Sequence, residues 1–538
     1  MTTFSRPMDG LRLRMRRVAI LSIVAPLLFA TRAVTQARGT QGAPADLLIR
    51  NGRVIDGTGA AARTADVAIT GDRITFVGDA SKSSIAARRT IDARGLIVAP
   101  GFIDPHTHAF EDLVSSDAKR RANLDYLMQG VTTVITGNDG GGPFEIARTL
   151  EKMKTDGIGS NAALLVGFGS VRQAVMKMSD TRAEGAQLDS MRALVDKAMR
   201  EGALGMSTGL YYAPQSFTTT EEVIEMAKVA SKYGGIYDSH LRDESSYTIG
   251  LLGAIREAIR IGQEANMPVN ISHIKALGVD VWGRSDSAIA IVEAARAAGR
   301  KVTADQYPYT ASGSSVGASL LPRWAEVGGG DSLRARIADP ATRARLVTDM
   351  TENLRRRGGA EALLMTSTRD TSILGKRLSE IATKRGISPV EAAIQIILNG
   401  GSSVASFNMN EKDIEAFMKK PWVMTGSDGS SGHPRKYGTF PKKWAEYVRG
   451  KKVLTPEAFV QRSSALTAQT FGIKDRGVLA TGKFADVVVF DDATFKDRST
   501  YEKPTELAVG MKFVVVNGKV VVDGGTYANI TPGVGITR

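Results

Sequence analysis

The chain has 538 residues, an ordinary share of apolar residues, a net charge of +14 and no cysteine. The length exceeds one average domain and suits a large barrel with a smaller companion. Disulfides and thiolate metal ligands are excluded, so any metal must be bound by nitrogen and oxygen. The basic residues are scattered and form no stripe interleaved with aromatics, so we expect no nucleic-acid partner. The charge is typical of a solvated basic surface, although it could also attract anionic substrates.

The N-terminal 37 residues predict an export signal. Four arginines between residues 12 and 17 precede a 13-residue apolar run, residues 18–30, and small residues follow. This order is typical of a secretory signal peptide, and the run is shorter than the roughly 20 residues that cross a bilayer. We therefore expect an exported protein, periplasmic or secreted, with no membrane attachment after cleavage. Arg16 and Arg17 leave twin-arginine and general export both open.

Both ends of the chain predict short β-strands. The first group lies at 47–52, 66–69 and 74–78, and the second at 487–490, 513–516 and 519–522, around the hairpin turn Asn517-Gly518. A sheet fragment of either size is marginal alone. We therefore predict that residues 46–100 and 475–525 form one discontinuous β-sandwich.

The middle of the chain, residues 101–474, alternates strand-like runs with amphipathic helical runs such as 221–232 and 251–265. This alternation predicts an α/β fold, a (β/α)8 barrel whose chemistry lies at the carboxyl ends of the strands. The connection before the last strand is too long for one crossover, so residues 330–400, charged and helical, predict a helical insertion that could cover the site. The eight predicted strands are 101–106, 131–137, 161–168, 203–209, 235–240, 268–273, 301–306 and 421–427.

The distribution of histidine points to a metal site. There are only five histidines, and four of them end strand-like runs. His106 and His108 alternate along a strand and so share one face. Such a pair could be a surface accident, but two imidazoles at the mouth of a strand also suit Zn²⁺, and His240 and His273 end two further strands. The fifth, His433, lies in a Gly/Ser-rich loop, and we interpret it as a loop residue near the substrate rather than a ligand.

Six short motifs carry a specific resemblance. They resemble the amidohydrolase superfamily and, within it, the N-acyl-D-amino-acid deacylase (D-aminoacylase) group, over residues 46 to about 525. The resemblance implies a metal-bearing barrel, a β-sandwich built from both chain ends, and one or two Zn²⁺ ions held by His106, His108, Asp139, His240 and His273. The motifs are GFIDPHTH at 101–108, GNDG at 137–140, SHLRDE at 239–244, SHIK at 272–275, YPY at 307–309 and HPRKYGTFP at 433–441.

One departure concerns the ligand at position 139. Many members of the group carry a zinc-binding Cys where this chain has Asp139. An aspartate could bridge two ions or bind one through oxygen, and Mn²⁺ or Co²⁺ could then compete with Zn²⁺. Alternatively, Asp139 is only the turn residue of an Asn-Asp-Gly sequence. No lysine ends the fourth predicted strand, so we do not expect the carboxylated-lysine bridge of dihydroorotase-like relatives.

The implied reaction is metal-dependent hydrolysis of the amide bond of an N-acyl-D-amino acid, a small-molecule substrate. The cation would lower the pKa of a bound water and polarise the carbonyl. Asp428, at the end of the eighth predicted strand, would take the water's proton and pass it to the departing amine, although an Asp in this position can also be a helix N-cap.

The substrate of such an enzyme carries a free carboxylate, which requires fixed positive charge and donors. The resemblance implies Tyr307 and Arg435 for this role, and Lys275 follows the ligand His273 on the same strand face. Tyr212 and Ser314 are implied in the pocket. Each could instead be a structural ion pair or a core side chain. After His240, residues 242–244 could orient the ligand.

Two rival functions remain open. A D-dipeptidase, cyclic amidase or deaminase would use the same barrel, although a clamp for a free carboxylate argues against cyclic amides. An inactive exported binding protein is a second alternative, against which the complete set of candidate ligands argues. The preferred side chain and acyl group, the number of metals and the oligomeric state do not follow from the sequence, and the preference for the D-enantiomer rests on the resemblance.

Overall fold

The computed structural model describes residues 44–82 and 85–538. The predicted signal peptide, residues 1–37, lies outside the described residues. The strands, in chain order, are β1 (Ala45–Val54), β2 (Arg63–Thr70), β3 (Arg73–Gly78), β4 (Ala87–Asp92), β5 (Ile97–Pro100), β6 (Phe102–Thr107), β7 (Val131–Thr136), β8 (Asn161–Leu164), β9 (Val166–Gly167), β10 (Gly205–Gly209), β11 (Ile236–His240), β12 (Val269–Ile271), β13 (Val302–Gln306), β14 (Ala311–Ser315), β15 (Leu363–Thr368), β16 (Ser402–Phe407), β17 (Val423–Thr425), β18 (Val487–Phe490), β19 (Met511–Val516), β20 (Lys519–Asp523), β21 (Thr526–Tyr527) and β22 (Gly535–Ile536).

The α-helices are α1 (Phe110–Leu113), α2 (Ala118–Arg121), α3 (Leu124–Leu127), α4 (Ile146–Asp156), α5 (Phe168–Met176), α6 (Ala186–Arg200), α7 (Thr220–Ser231), α8 (Gly250–Ala265), α9 (Ser285–Ala297), α10 (Val316–Leu320), α11 (Gly330–Ala338), α12 (Pro340–Arg356), α13 (Leu378–Arg385), α14 (Pro389–Leu398), α15 (Glu411–Met418), α16 (Arg435–Lys442), α17 (Pro456–Arg462) and α18 (Ala465–Phe471). The segment Lys443–Gly450 continues α16 as a π-helix. Both helices that the sequence predicted by example, at 221–232 and 251–265, are present as α7 and α8.

Strands from the two chain ends pair in one nine-stranded sheet. Its order is β21-β20-β19-β18-β5-β1-β2-β3, and β4 pairs with β1. The two ends meet where β18 lies antiparallel to β5, with Val488 opposite Ala99. All four residues of β18 are buried, which explains the continuous apolar run Val487–Phe490. The pairing of the two ends agrees with the sequence analysis, and the sandwich arrangement of this sheet stays a prediction.

All eight strands expected in the middle of the chain are present and parallel, the third of them divided into β8 and β9. They lie in two sheets, with β6, β7 and β8 in one and β9 to β13 with β17 in the other. The first and last strands are neighbours at their carboxyl ends, where Thr107 forms a parallel bridge with Gly429. The backbone N–H of Asp428 donates to the carbonyl of His106 at 2.9 Å. This mixed α/β arrangement brings the predicted site residues to one edge, and closure into a barrel stays a prediction.

The insertion between β13 and β17 differs from the expectation. It contains the helices predicted within 330–400, but it also contains the antiparallel sheet β14-β16-β15 and so begins near residue 311. Its helices and sheet share a separate hydrophobic core that includes Leu346, Leu363 and Val404. Strand β15 was missed because its burial alternates only in part and its flanking segments are helical. The sheet matters for function because β14 reaches the site.

The last residues of the chain pack on the parallel strands. Strand β22 pairs in parallel with β8, with Gly535 opposite Ala162. The sequence analysis assigned no structure after residue 525. Among the described residues, no helix is both long and apolar enough to cross a membrane.

Candidate metal centre and active-site cavity

A cavity of about 400 Å³ opens at the carboxyl ends of the parallel strands. Four of the five predicted ligands line its wall, together with all five predicted substrate-binding residues. The structure therefore brings these separate sequence positions into one place. The predicted residues in the wall are His108, Asp139, Tyr212, His240, His273, Lys275, Tyr307, Ser314, Asp428 and Arg435.

The candidate ligands form two overlapping groups. One contains His106, His108, Asp139 and Asp428, and the other contains Asp139, His240 and His273; within each group the ligand atoms lie within 4.8 Å of one another. Asp139 belongs to both groups. Its Oδ1 atom lies 3.4 Å from His106 Nε2, 3.5 Å from His240 Nδ1 and 3.6 Å from His273 Nε2. Its other oxygen, Oδ2, lies 3.6 Å from His108 Nε2.

These separations fit a bound divalent cation. Ligand atoms placed tetrahedrally about 2.1 Å from one ion lie about 3.4 Å from each other. In addition, Asp139 Oδ1 and both ring nitrogens of His106 are buried without a hydrogen-bond partner. Buried polar atoms are rarely left unpaired, so unpaired donor atoms that converge at ligand spacing indicate a metal site. The shared carboxylate is compatible with one ion or with two.

The charges around the cluster favour a cation. Burial alone would lower the pKa of the His106 imidazole, but the carboxylates of Asp139 and Asp428 overcome it and raise that pKa to about 10. Burial opposes ionisation of Asp139, yet His106 and His240 hold the pKa of its carboxyl well below the usual range. The two carboxylates thus make the centre electronegative, as a divalent cation requires.

Three residues of the cluster have a left-handed backbone, which is unusual for residues other than glycine. The φ angles are +56° at Asp139, +35° at His273 and +48° at Asp428. Such conformations cost of order 1–3 kcal/mol each and persist where the surroundings impose them. At His273 the backbone N–H donates to Asp305 Oδ1 at 2.9 Å. The strand ends are therefore turned sharply, which aims these side chains into the cavity.

Of the three residues expected to orient His240, only Glu244 contacts the ligands. Its Oε1 lies 3.1 Å from His273 Nδ1 and 2.6 Å from Lys275 Nζ. The expectation was wrong for Arg242, which pairs with Glu257 on α8 at 2.9 Å. It was also wrong for Asp243, which accepts hydrogen bonds from backbone N–H groups of its own loop. Both turn away because their local partners are closer than the ligand.

A buried polar layer lies beneath the cluster and was not anticipated. Asn138 donates to Asp238 Oδ2 at 3.0 Å, and Asn270 donates to Asp238 Oδ1 at 2.8 Å and to Asp305 Oδ2 at 2.7 Å. Asp104 Oδ1 accepts from the backbone of Ser427 at 3.0 Å. Burial raises the pKa of the Asp104 carboxyl to about 7 and that of the Asp238 carboxyl to about 6. These contacts involve residues on or directly after six strands, namely β6, β7, β11, β12, β13 and β17.

On one wall of the cavity, Arg435 and Tyr307 lie beside Asp428. Arg435 Nη1 is 2.7 Å from Asp428 Oδ2, and the guanidinium lies 4.7 Å from the centre of the Tyr307 ring. The Tyr307 hydroxyl is buried without a hydrogen-bond partner. His433 is held nearby, because its Nδ1 accepts from the backbone of Arg435 at 3.1 Å. The Tyr212 ring lies 4.7 Å from that of His240.

A second wall contains residues that the sequence analysis did not single out. Arg357, at the end of α12, lines the cavity with Tyr211 and Tyr247. Its Nη2 donates to the Tyr211 hydroxyl at 3.1 Å. In the sequence, Arg357 follows two other arginines at a helix C-terminus, where basic residues commonly offset the helix dipole. This run of arginines in the sequence therefore did not indicate that Arg357 lines the cavity.

The sequence profile described as the Amidohydrolase family matches residues 89–522. The chain belongs to the amidohydrolase family. Among its curated relatives is a D-aminoacylase of Alcaligenes xylosoxydans xylosoxydans, 35% identical over 505 residues, which cover 89% of this chain and 94% of the relative.

Two solved amidohydrolase structures are also similar. One is an N-acyl-D-glutamate deacylase of Bordetella bronchiseptica in complex with zinc and a phosphonate inhibitor, with 30% identity and a TM-score of 0.78. The other is a D-aminoacylase described as having a binuclear metal centre, with 33% identity and a TM-score of 0.79. Each match covers 92% of this chain and 100% of the other. The resemblance found in the sequence motifs is thus confirmed.

Proposed function

We propose that this chain is a metal-dependent hydrolase that cleaves the amide bond of N-acyl-D-amino acids to a carboxylate and a free D-amino acid. The proposal rests on the observation that two sets of functional side chains meet in one cavity. The His/Asp cluster around Asp139 lies beside the pair formed by Asp428 and Arg435, 2.7 Å apart. The D-aminoacylase and N-acyl-D-glutamate deacylase relatives support the bond and the enantiomer.

The proposed cofactor is one or two Zn²⁺ ions, held by His106, His108, Asp139, His240 and His273. When bound, such an ion lowers the pKa of a water ligand and polarises a carbonyl group. The oxygen donor at position 139 makes Mn²⁺ and Co²⁺ competitors, since a carboxylate is less selective for zinc than a thiolate. The D-aminoacylase with a binuclear centre supports the possibility of two ions.

Asp428 is the proposed proton carrier. Burial opposes its ionisation, but Arg435 and His273 hold the pKa of its carboxyl well below the usual range. It is therefore a carboxylate, with Oδ1 3.1 Å from His108 Nε2 and Oδ2 2.7 Å from Arg435 Nη1. In this position it can accept the proton of the attacking water and return it to the departing amine nitrogen.

The α-carboxylate of the substrate is proposed to bind to Arg435 and Tyr307. The unpartnered Tyr307 hydroxyl supplies a donor, and the guanidinium supplies a fixed charge. Lys275 contributes less free charge than the sequence analysis expected, because Glu244 lies 2.6 Å from its Nζ. Tyr212 and Ser314 complete the wall as substrate contacts.

The test is a metal-replete assay with N-acetyl-D- and N-acetyl-L-amino acids, D-dipeptides and a hydantoin. We expect turnover of the N-acetyl-D-amino acids and little of the others. Asp428→Asn should lower kcat by about 10²–10⁴-fold, measured on folded and metal-loaded protein at 25 °C. A variant that keeps most of the rate, or a chain that prefers hydantoins or dipeptides, contradicts the proposal.

We also propose the architecture and location that the sequence suggested. Residues 101–474 would form a closed (β/α)8 barrel with the insertion, and residues 46–100 and 475–525 would form a β-sandwich. The bridge between Thr107 and Gly429 supports closure of the barrel.

Export with removal of residues 1–37 is proposed from the N-terminal pattern. Sequencing the N-terminus of protein recovered from the periplasm or medium tests it, and an intact Met1 in that fraction contradicts it.

A further inference from the structure

Arg357 is a buried cation that lacks an acidic partner. Only 2% of its surface is exposed. Its Nε donates to the carbonyl of Ser319 at 3.2 Å and its Nη2 to the Tyr211 hydroxyl at 3.1 Å. With the Asn408 amide turned so that its oxygen faces the surrounding donors, that oxygen accepts from Arg357 Nη1 at 3.3 Å. All three acceptors are neutral, and among the described residues no Asp or Glu forms an ion pair with it.

The other two cations of the cavity wall are compensated. Lys275 lies 2.6 Å from Glu244, and Arg435 lies 2.7 Å from Asp428. A buried charge is costly unless an opposite charge and hydrogen bonds offset it. A guanidinium has five N–H donors, and the three contacts of Arg357 leave two of them free. Arg357 is therefore the one cavity cation, within the part of the chain that is described, whose counter-charge is missing.

A second donor lies at the same place. Tyr247 lines the cavity beside Arg357, with the guanidinium 6.0 Å from its ring centre, and its hydroxyl is buried without a partner. Tyr211 joins this wall to the metal cluster, because its ring lies 5.9 Å from that of His240. The contacts of Arg357 and those of Arg435 involve different residues, so the cavity has two separate places for an anion.

We propose that Arg357 and Tyr247 bind a second carboxylate of the substrate, and that the preferred substrates are N-acyl-amino acids with two carboxylates. This inference rests on the proposed function, which already assigns the α-carboxylate to Arg435 and Tyr307. The second carboxylate has two possible sources, an acidic side chain or a dicarboxylic acyl group. A bidentate guanidinium suits either, since it matches the plane of a carboxylate.

The experiment compares kcat/KM for four D-configured substrates. N-acetyl-D-glutamate carries the second carboxylate on its side chain, and N-succinyl-D-leucine carries it on the acyl group. N-acetyl-D-glutamine and N-acetyl-D-leucine are the monoanionic partners, which carry only the α-carboxylate. We expect at least a tenfold preference of the wild type for one dianionic substrate over its monoanionic partner, because a site built for a second charged group is left unpaired by an analogue that lacks it. The substrate pair that shows the preference identifies whether the second carboxylate belongs to the side chain or to the acyl group.

The variants locate the preference. Arg357→Met should abolish the preference by slowing the dianionic substrate at least tenfold and the monoanionic one less than threefold, and Arg357→Lys should restore part of it. Arg355→Gln is the matched control, since it removes a charge from the same helix end where the side chain is paired with Asp280 and Glu352 at the surface. It should keep wild-type rates on all four substrates.

The outcomes separate this inference from the proposed function. If no N-acyl amino acid is hydrolysed, the proposed function fails. If the monoanionic substrates are hydrolysed as fast as both dianionic ones, only this inference fails. It also fails if Arg357→Met lowers all four rates equally, as a purely structural role predicts, or keeps the preference. Should that variant not fold, the wild-type preference and Arg357→Lys still decide.

Discussion

Asp139 is the residue on which the proposed metal centre depends. Its two oxygens approach four imidazoles, and no other described residue belongs to both ligand groups. Its carboxylate offers oxygen donors at the position where the sequence resemblance implies a thiolate in many members of the group. The identity of this single side chain should therefore decide which metal the centre prefers.

Exchanging Asp139 should change metal binding in two distinguishable ways. Asp139→Asn removes the shared charge, so we expect at least tenfold weaker metal binding and loss of activity. Asp139→Cys should keep Zn²⁺ and lose affinity for Mn²⁺, because thiolate is a softer ligand. Metal content after dialysis, measured by mass spectrometry at equal concentrations of the two ions, gives the answer. Unchanged binding of both ions in the Asn variant would contradict a ligand role and favour a turn residue.

Tyr307 offers a test in which stability and function move in opposite directions. Its hydroxyl is buried and unpartnered, and burial raises the pKa of that phenol well above its usual value, so it stays a neutral donor. Tyr307→Phe removes a desolvated group, so Tm should stay level or rise, by the equivalent of about 1 kcal/mol. KM for an N-acetyl-D-amino acid should increase about tenfold. Tyr309→Phe is the control, because the Tyr309 hydroxyl, unlike that of Tyr307, has an acceptor within the protein, the Pro434 carbonyl at 3.5 Å. A lower Tm with unchanged KM would indicate a structural role.

At the scale of elements, the strands of the two parallel sheets could be predicted because they are almost completely buried. In β6 and β7 every residue is buried, so an apolar run ending in His or a Gly-rich turn stands out. Strand β15 of the insertion alternates only partly and was missed. Arg357 was missed for a related reason, since its role arises from the folding of the insertion over the cavity and not from its neighbours in the chain. The candidate ligands could be predicted because they lie at strand ends, two of them at the end of β6 and one each at the ends of β7, β11 and β12.

The π-helix that follows α16 begins with a buried lysine whose charge is poorly accommodated. Burial and the charge of Arg462 together lower the pKa of the Lys443 ammonium to about 7, although the charge of Asp305 opposes the shift. An unfolded lysine has a pKa of about 10.4. Between these values the unfolded state binds more protons, so the stability of the folded state should rise with pH from about 7 to about 10.

Replacing Lys443 should remove this dependence. The 3.5-unit difference between 10.5 and about 7 corresponds to at most about 5 kcal/mol. We therefore expect Lys443→Met to raise Tm clearly at pH 6.5 and to leave it nearly unchanged at pH 9.5, as measured by thermal shift. Lys442→Met, the adjacent residue paired with Glu446, is the control and should show no such difference. A pH-independent effect at Lys443 would mean that its amine is not desolvated.

For the molecule as a whole, the end-derived sheet and the parallel strands are joined by polar contacts far from the cavity. Asn517, in the hairpin of the sheet, donates to Asn161 Oδ1 on β8 and to the carbonyl of Pro532, both at 2.8 Å. Asp486 pairs with Arg476 in the same buried group. The contact between Asn517 and Asn161 joins residues 356 positions apart in the chain. Strand β8, which lies in one sheet with β6 and β7, is thereby tied to the end-derived sheet.

The C-terminal tail should contribute stability without contributing to catalysis. The backbone N–H of Ala162 donates to Val534 at 3.0 Å, and that of Gly533 donates to Ile158 at 2.8 Å. Arg538 reaches further, to the carbonyls of Leu204 and Gly234 before β10 and β11. Ending the chain after Tyr527 leaves these groups unpaired, at about 1–3 kcal/mol for each that stays buried. We expect Tm to fall by several degrees.

Activity of the truncated chain at 25 °C is the decisive comparison. The tail contacts the amino ends of the strands and the cavity lies at their carboxyl ends, so kcat/KM and metal content should stay within twofold of the wild type. Deleting Arg538 alone is the matched control, since it removes the side-chain contacts and keeps β22, and its effect on Tm should be smaller. If truncation instead reduced kcat/KM and left Tm unchanged, the tail would have to act on the site itself. The view that the amino ends of the strands serve stability and their carboxyl ends serve catalysis would then be wrong.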